Sequence, residues 1–403
     1  MSQQPPRGVS TPPGTRVVAT LLPLTLTIFI SFLTLGLQLP VLPLHLHQTL
    51  GMGTWVVGLV VGAQFAAALL SRPWAGNFAD LRGAKRAVIA GLLCASASGA
   101  VYGASLAFID LPALSVWLLL AGRILLALGE SLIITGAMGW GVGLVGPQHT
   151  GKVMAWSGIA IYGAYALGAP VGMALQAVWG FAGVAVATVL IPFVALAVVA
   201  GIRPIAPSAV RRTPFYTVLK TVWTPGLGLA FCSVGFGTLT AFIALLFAAR
   251  DWGNSSLAFT TFGMAFIGAR LCFGNLPDTL GGARVAMVCV VIEAAGQLLI
   301  WGASTPTLAY LGTGLTGFGY SLAFPGFGVE AVRRAPPEAR SLAMGAYVAF
   351  MDISLGITSP LAGALAGAAG VASVYLAGAL AVALAWGVAL RLLWSKPGRA
   401  QPA

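Results

Sequence analysis

Three charged side chains lie deep inside long apolar stretches of this 403-residue chain: Arg123, Glu130 and Asp352. A charge buried in hydrocarbon is costly, and residues of this kind commonly bind solutes or carry protons. Glu130 follows Arg123 by two helical turns, so a helix would project both from nearly one face, about 10 Å apart along its axis. We expect Arg123 to bind an anionic group of a solute and Glu130 to exchange a proton. The alternative is that both form structural pairs with other helices.

Asp352 lies near the middle of another apolar stretch. A carboxyl group in such surroundings is favoured in its neutral form, and it could therefore bind and release a proton. The alternative is an aspartate that hydrogen-bonds to a neighbouring helix and never titrates. Glu293 and Gln297 lie one turn apart in a further stretch, and for these we expect a structural role in contacts between helices.

The elements that position these residues must be membrane helices. The chain is 58% hydrophobic and only 7% charged, whereas a soluble domain carries about 25% charged residues. The apolar runs are continuous rather than alternating, which predicts spanning helices and excludes a barrel. Twelve such segments can be drawn, over residues 17–43, 54–74, 87–108, 113–145, 152–178, 182–202, 217–249, 255–274, 285–303, 306–332, 341–366 and 370–394.

Lysine and arginine lie almost entirely on one side of the predicted membrane. Twelve spans place both termini on one side, and all of the 21 basic residues except Arg123 and Arg250 then fall on that side. The positive-inside rule makes this side cytoplasmic. The net charge of +12 is then explained by orientation and by anionic lipid, without a nucleic-acid partner. We therefore predict a multi-pass membrane protein with both termini in the cytoplasm.

A charged pattern, which predicts a short turn between two apolar segments, occurs twice, from Arg72 to Arg86 and from Arg270 to Arg284. Both copies hold arginine, glycine, asparagine, aspartate, glycine and arginine in the same order and at the same spacing. We infer a duplicated unit. It predicts an N-terminal six-helix half over 1–202 with a cytoplasmic tail at 1–16, a central cytoplasmic loop over 203–216, and a C-terminal half over 217–403 with a tail at 395–403.

These residues resemble a known family. The turn from Gly76 to Arg86 is similar to the signature loop of the major facilitator superfamily (MFS), and Arg123 followed by Gly129 resembles that family's second motif. The stretch from Phe350 to Gly363 resembles the bacterial YhhS/YfcJ group. The resemblance implies an all-α MFS fold of twelve transmembrane helices in two pseudo-symmetric bundles. It also implies that the protein lies in the bacterial inner (cytoplasmic) membrane. A third motif, typical of proton-coupled antiporters of the family, is resembled by Gly158, Gly163, Gly168, Pro170 and Gly172.

The resemblance also implies roles for further residues. Small residues recurring along the fifth segment would let helices approach closely. A conformational latch on the inner side would use Gly76, Asp80, Gly83 and Arg86, with Asp278 in the second copy. Polar contacts to a solute cavity would come from Gln38, Thr135, Thr313 and Tyr320.

The expected function is secondary active transport by alternating access, first as proton-coupled efflux (antiport) of a small organic solute or drug. The alternative is proton-coupled uptake of a sugar or small organic acid by symport. No nucleophile–base arrangement is visible, so we expect no enzyme activity, no cofactor and no metal; His45 and His47 are too few ligands for a metal site. The expected partners are the solute, protons and the lipid bilayer. The sequence leaves the oligomeric state open and is compatible with a monomer.

Overall fold

A computed structural model describes residues 14–205, 215–335 and 340–395, and in these ranges the chain is helical with short connections and no strand. Most of the predicted tails and of the central loop lie outside the described residues. One helical run, Thr150–Ala200, contains Gly180 at φ 62° and ψ −162°. A helix cannot continue through that conformation, so we count the run as two helices, α5 before Gly180 and α6 after it.

The described ranges then contain twelve long helices, as the sequence predicts. Their bounds are Gly14–Leu44 (α1), Thr54–Arg82 (α2), Ala84–Ser105 (α3), Pro112–Val145 (α4), Thr150–Ala200 (α5 and α6), Phe215–Ala249 (α7), Ser256–Phe273 (α8), Gly282–Trp301 (α9), Pro306–Arg334 (α10), Arg340–Ala369 (α11) and Ser373–Trp394 (α12). With the α5–α6 run counted once, ten runs among the described residues are long and apolar enough to span a membrane. The long helix outside that set is α10, whose sequence contains many glycines and threonines.

The second helix ends later than predicted. The sequence suggested a charged turn that begins at Arg72, but α2 continues to Arg82 and includes Pro73. Membrane helices tolerate an internal proline because neighbouring groups compensate for the lost hydrogen bond. The chain first leaves the helix at Gly83, where φ is 93°, and the second copy turns in the same way at Gly281, where φ is 95°.

Equivalent helices pack together in the two halves. In the N-terminal half α1 contacts α5, α2 contacts α4, α3 contacts α4, and Ser96 of α3 donates a hydrogen bond to the carbonyl of Val189 in α6. The C-terminal half repeats these pairs as α7 with α11, α8 with α10, α9 with α10, and α9 with α12. This repetition supports the inferred duplication.

Two long seams join the halves, α2 against α11 and α5 against α8, and α1 also contacts α7. We call the side with the α2–α3 turn (Arg82, Lys85 and Arg86) the basic face, and the other side the opposite face. Toward the opposite face both seams are tight. A Cβ atom added at Gly58 would lie 2.1 Å from the carbonyl oxygen of Ser359, and one at Gly263 would lie 2.6 Å from Cβ of Ala166.

Candidate functional site

An ion pair crosses the α2–α11 seam. Nη2 of Arg72 donates to Oδ1 of Asp352 at 2.9 Å, and Nε of Arg72 lies 2.5 Å from Oδ2. The Asp352 side chain is 2% exposed and that of Arg72 is 26% exposed. Since α2 belongs to one half and α11 to the other, this pair holds the halves together beyond the tight opposite-face contacts.

Glu130 lies beside this pair. Its Oε2 accepts a hydrogen bond of 2.9 Å from Nε2 of Gln64, a fully buried residue of α2. Arg72 and Asp352 both interact electrostatically with Glu130. The cluster therefore contains two carboxyl groups and the guanidinium of Arg72, and Arg123 also interacts electrostatically with Glu130.

Arg123 belongs to a buried polar network of the N-terminal half. It is 3% exposed, and its Nη1 donates to Oε1 of Gln38 at 3.2 Å. Nε2 of Gln38 lies 3.3 Å from Oγ1 of Thr188. These residues belong to α1, α4 and α6, so this network lies inside the N-terminal half. Arg123 and Glu130 have separate hydrogen-bond partners, although both lie on α4.

Aromatic rings occupy the region between the halves. Tyr162 of α5 stacks on Phe266 of α8 with ring centres 3.7 Å apart, and Phe236 of α7 stacks on Tyr320 of α10 at 5.5 Å. Phe262 contacts both Tyr162 and Phe236. We call these five residues the aromatic cluster. Of the predicted cavity contacts, Tyr320 lies here and is fully buried.

The other predicted cavity contacts are dispersed. Thr313 is fully buried, and its hydroxyl lies 2.7 Å from that of Thr261, which joins α10 to α8. Gln38 belongs to the Arg123 network. Thr135 is half-buried. The structure therefore does not bring these four predicted residues together into one site.

The predicted latch residues lie around the turn at the basic face. Gly76 is buried, Asp80 is half-buried, and Arg86 and Asp278 are exposed. A different residue of this turn makes a connection that the sequence analysis missed. Nζ of Lys85 donates to the carbonyls of Ala200 and Ile202 at 3.0 and 2.8 Å. A lysine at this position satisfies free carbonyls at the C-terminal end of α6.

The predicted packing glycines of α5 differ in their surroundings. A Cβ at Gly168 would lie 2.8 Å from Cα of Gly36, and one at Gly172 would lie 2.1 Å from the carbonyl oxygen of Leu37. These two positions allow α1 and α5 to touch along their backbones. A Cβ at Gly163 would make ordinary contacts, and one at Gly158 would meet nothing within 4 Å. Pro170, between the two close contacts, is half-buried.

An apolar groove of about 580 Å³ runs between α2 and α4. Leu70 and Trp74, which line it, are 80% and 51% exposed. Large exposed apolar side chains on a membrane helix face lipid, so the groove is part of the bilayer-contacting surface and is separate from the charged cluster.

The fold and the cross-half ion pair define a class: a helical membrane protein with two similar halves that meet around buried charges. Comparison with known sequences leads to the same class of protein. The family model of the Major Facilitator Superfamily matches residues 24–253 and 226–403. An MFS-type transporter of Burkholderia pseudomallei is 47% identical over 357 residues, which cover 87% of this chain and 86% of the relative. One of Salmonella typhimurium is 43% identical over 357 residues, covering 89% and 92%.

Solved structures share the fold. A D-xylose–proton symporter superposes with a TM-score of 0.75 at 13% identity, covering 95% of this chain and 99% of the symporter. A human organic anion transporter has a TM-score of 0.69 at 15% identity, covering 94% and 100%. The chain belongs to the major facilitator superfamily and is a multi-pass membrane transporter. The predicted family and fold class are confirmed.

Proposed function

We propose that this transporter exports a small organic solute in exchange for protons. The observation that carries the proposal is the Arg72–Asp352 pair, because it couples a titratable carboxyl group directly to the contact between the two halves. A proton that neutralises Asp352 removes the charge that attracts Arg72. The α2–α11 seam is then free to part near the basic face, and loss of the proton restores the pair.

Glu130 is the second proton acceptor of the proposed mechanism. It lies on α4 and is held by Gln64 of α2, the helix that also carries Arg72. A proton transferred between Glu130 and Asp352 would stay within the same cluster, since both carboxyl groups interact electrostatically with Arg72. The cluster thus offers two proton-binding groups beside one arginine of the α2–α11 seam.

The proposed orientation places the basic face in the bacterial cytoplasm, with both termini there. Arg82 and Arg86 are exposed at this face, as the positive-inside rule favours. Single cysteines introduced as Arg82→Cys and Asp110→Cys in a cysteine-free background test it. A membrane-impermeant maleimide added to whole cells should label only position 110. Labelling of position 82 alone would reverse the orientation.

Proton movement in everted vesicles tests the exchange. Respiration acidifies the lumen of vesicles that contain the protein, and a pH-sensitive dye reports the luminal pH. A panel of neutral and charged aromatic solutes is then added outside. Antiport predicts that at least one solute raises the luminal pH beyond the change in vesicles without the protein. Symport, the alternative, predicts proton release only when the solute is loaded inside.

The Asp352→Asn variant should abolish the solute-dependent pH change, because asparagine cannot carry a proton. Asp110→Asn is the matched control, since it removes a carboxyl group from an exposed connection. Equal responses of wild type and Asp352→Asn would exclude Asp352 from coupling.

A further inference from the structure

Arg270, near the end of α8, has no counter-charge among the described residues. Its Nε is buried without a hydrogen-bond partner, and its guanidinium carbon lies 5.3 Å from the ring centre of Phe266. The groups that interact electrostatically with it are the phenols of Tyr162, Tyr320 and Tyr347. The carboxylate of α10, Glu330, is already bound by Arg334. A guanidinium that is half-buried between the halves without a counter-charge is costly.

The internal duplication shows that Arg270 lacks the carboxylate partner that its counterpart has. Arg270 in the second copy of the charged pattern corresponds to Arg72 in the first. Asp352 of α11 corresponds to Tyr162 of α5, at the same spacing that relates Pro360 to Pro170. The two seams are therefore equivalent, but one pairs its arginine with a carboxylate and the other faces its arginine with a phenol. A phenol donates a hydrogen bond but does not neutralise a cation.

We propose that Arg270 binds the anionic group of the cargo and that the aromatic cluster binds its apolar body. The cargo is then a small organic anion, a carboxylate attached to an aromatic or aliphatic body. The proposal rests on the proposed function, in which cargo binds between the halves, and it specifies the substrate class. A bound carboxylate supplies at the α5–α8 seam the charge that Asp352 supplies at the α2–α11 seam.

The chemistry of the surroundings favours this ligand over others. Guanidinium groups bind carboxylates through two parallel hydrogen bonds, which a neutral amide cannot reproduce. The hydroxyl groups of Tyr162 and Tyr320 can add donors beside the guanidinium, while their rings and those of Phe262 and Phe266 offer apolar faces. A cationic solute would be repelled by Arg270. The site would therefore select solutes by their negative charge at Arg270 and by their apolar body at the aromatic cluster.

Binding to the purified full-length protein tests the inference without any gradient. The probes are benzoate, benzamide and benzylamine, which share a ring and differ in charge, together with hexanoate as an aliphatic carboxylate. The unfolding midpoint of the wild type should rise with benzoate or hexanoate, because a ligand of the folded state stabilises it. Benzamide and benzylamine should leave it unchanged. No rise with either carboxylate, or an equal rise with benzamide, would overturn the inference.

Arg270→Gln should weaken benzoate binding about ten- to hundredfold, the effect of losing a charge-assisted pair. Arg391→Gln, which removes an exposed arginine at the end of α12, should bind benzoate as the wild type does. Without ligand, Arg270→Gln should unfold at the same temperature or higher, because it removes a half-buried charge that has no counter-charge among the described residues. A clear fall in that temperature would show a structural role and contradict the assignment. Undiminished benzoate binding by Arg270→Gln would contradict it equally.

Tyr162→Asp supplies the missing carboxylate at the equivalent position. Compared with Tyr162→Ala, which loses the same ring, it should be the more stable variant and should no longer bind benzoate. If Tyr162→Asp is no more stable than Tyr162→Ala, Arg270 is not available for pairing and the inference fails. Failure of proton exchange in vesicles with intact benzoate binding would instead count against the proposed function alone.

Discussion

Nε of Arg72 lies 2.5 Å from Oδ2 of Asp352, although 280 positions of sequence separate the two residues. The pair joins helices of opposite halves, so we expect it to stabilise the contact between the halves and, under the proposed function, to respond to protons.

Removal of one partner should therefore cost more stability than removal of both. Arg72→Gln leaves Asp352 buried without a counter-charge, and we expect a loss of about 3 kcal/mol at neutral pH. The double variant Arg72→Gln/Asp352→Asn leaves two neutral groups and should recover most of that loss. Unfolding in detergent, followed by tryptophan fluorescence, measures both. Additive losses in the double variant would show that the two residues do not interact.

Glu130 should contribute to proton exchange, while the buried carboxyl group of Glu293 should not. Glu130→Gln preserves shape and the neighbourhood of Gln64 but removes a proton site, so the solute-dependent pH change in vesicles should fall by about tenfold or more, the scale of losing a positioned proton carrier. Glu293→Gln is the control, because Glu293 is fully buried inside the C-terminal half. An unchanged signal for Glu130→Gln with a lost signal for Glu293→Gln would move the proton site to α9.

The helices were predictable from the sequence because each is a long uncharged apolar run, and a single chain carries that signal locally. The sequence does not predict which helices pack against each other in the bundle. The sequence shows that Arg72 opens a duplicated pattern, but it does not show that α2 faces α11, and so Arg72 was assigned to a turn. Asp352 was recognised only from its position within an apolar stretch. The pairing of Glu130 with Gln64 likewise depends on which faces of α2 and α4 meet.

Arg123 illustrates the same limit. Helical periodicity places it near the face of Glu130, yet its partner Gln38 lies inside the N-terminal half. Periodicity relates residues within one helix and says nothing about the rotation of that helix in the bundle. The recurrence of an arginine at Arg270 was visible in the sequence. That Arg270 lacks an acidic partner became visible only with the structure.

Arg123→Ala should lower the unfolding temperature, because it leaves the buried amide oxygen of Gln38 without its donor. The expected loss is about 1–3 kcal/mol. Arg123→Lys should retain part of the stability, since it keeps a donor. If Arg123→Ala unfolds like the wild type but loses affinity for benzoate, Arg123 belongs to the solute site, as the sequence first suggested.

Close backbone contact between α1 and α5 makes Gly172 sensitive to substitution. In Gly172→Ala the new methyl group would meet the carbonyl oxygen of Leu37 at 2.1 Å, so the helices must separate. We expect a loss of about 1–3 kcal/mol. Gly158→Ala on the same helix has open space and should be neutral or slightly stabilising. Unfolding temperatures of the two variants provide the comparison, and equal values would contradict the close contact.

The tight end of the α2–α11 seam has a further consequence. Oγ1 of Thr54 donates to the carbonyl of Gly363 at 2.8 Å, and Gly58 touches the backbone at Ser359. These described contacts involve neutral groups, so parting them requires no ion to lose or regain water. We therefore expect the rate of opening at this end to vary with the lateral pressure of the bilayer. It should change little with membrane voltage or ionic strength, in contrast to the step that separates Arg72 from Asp352.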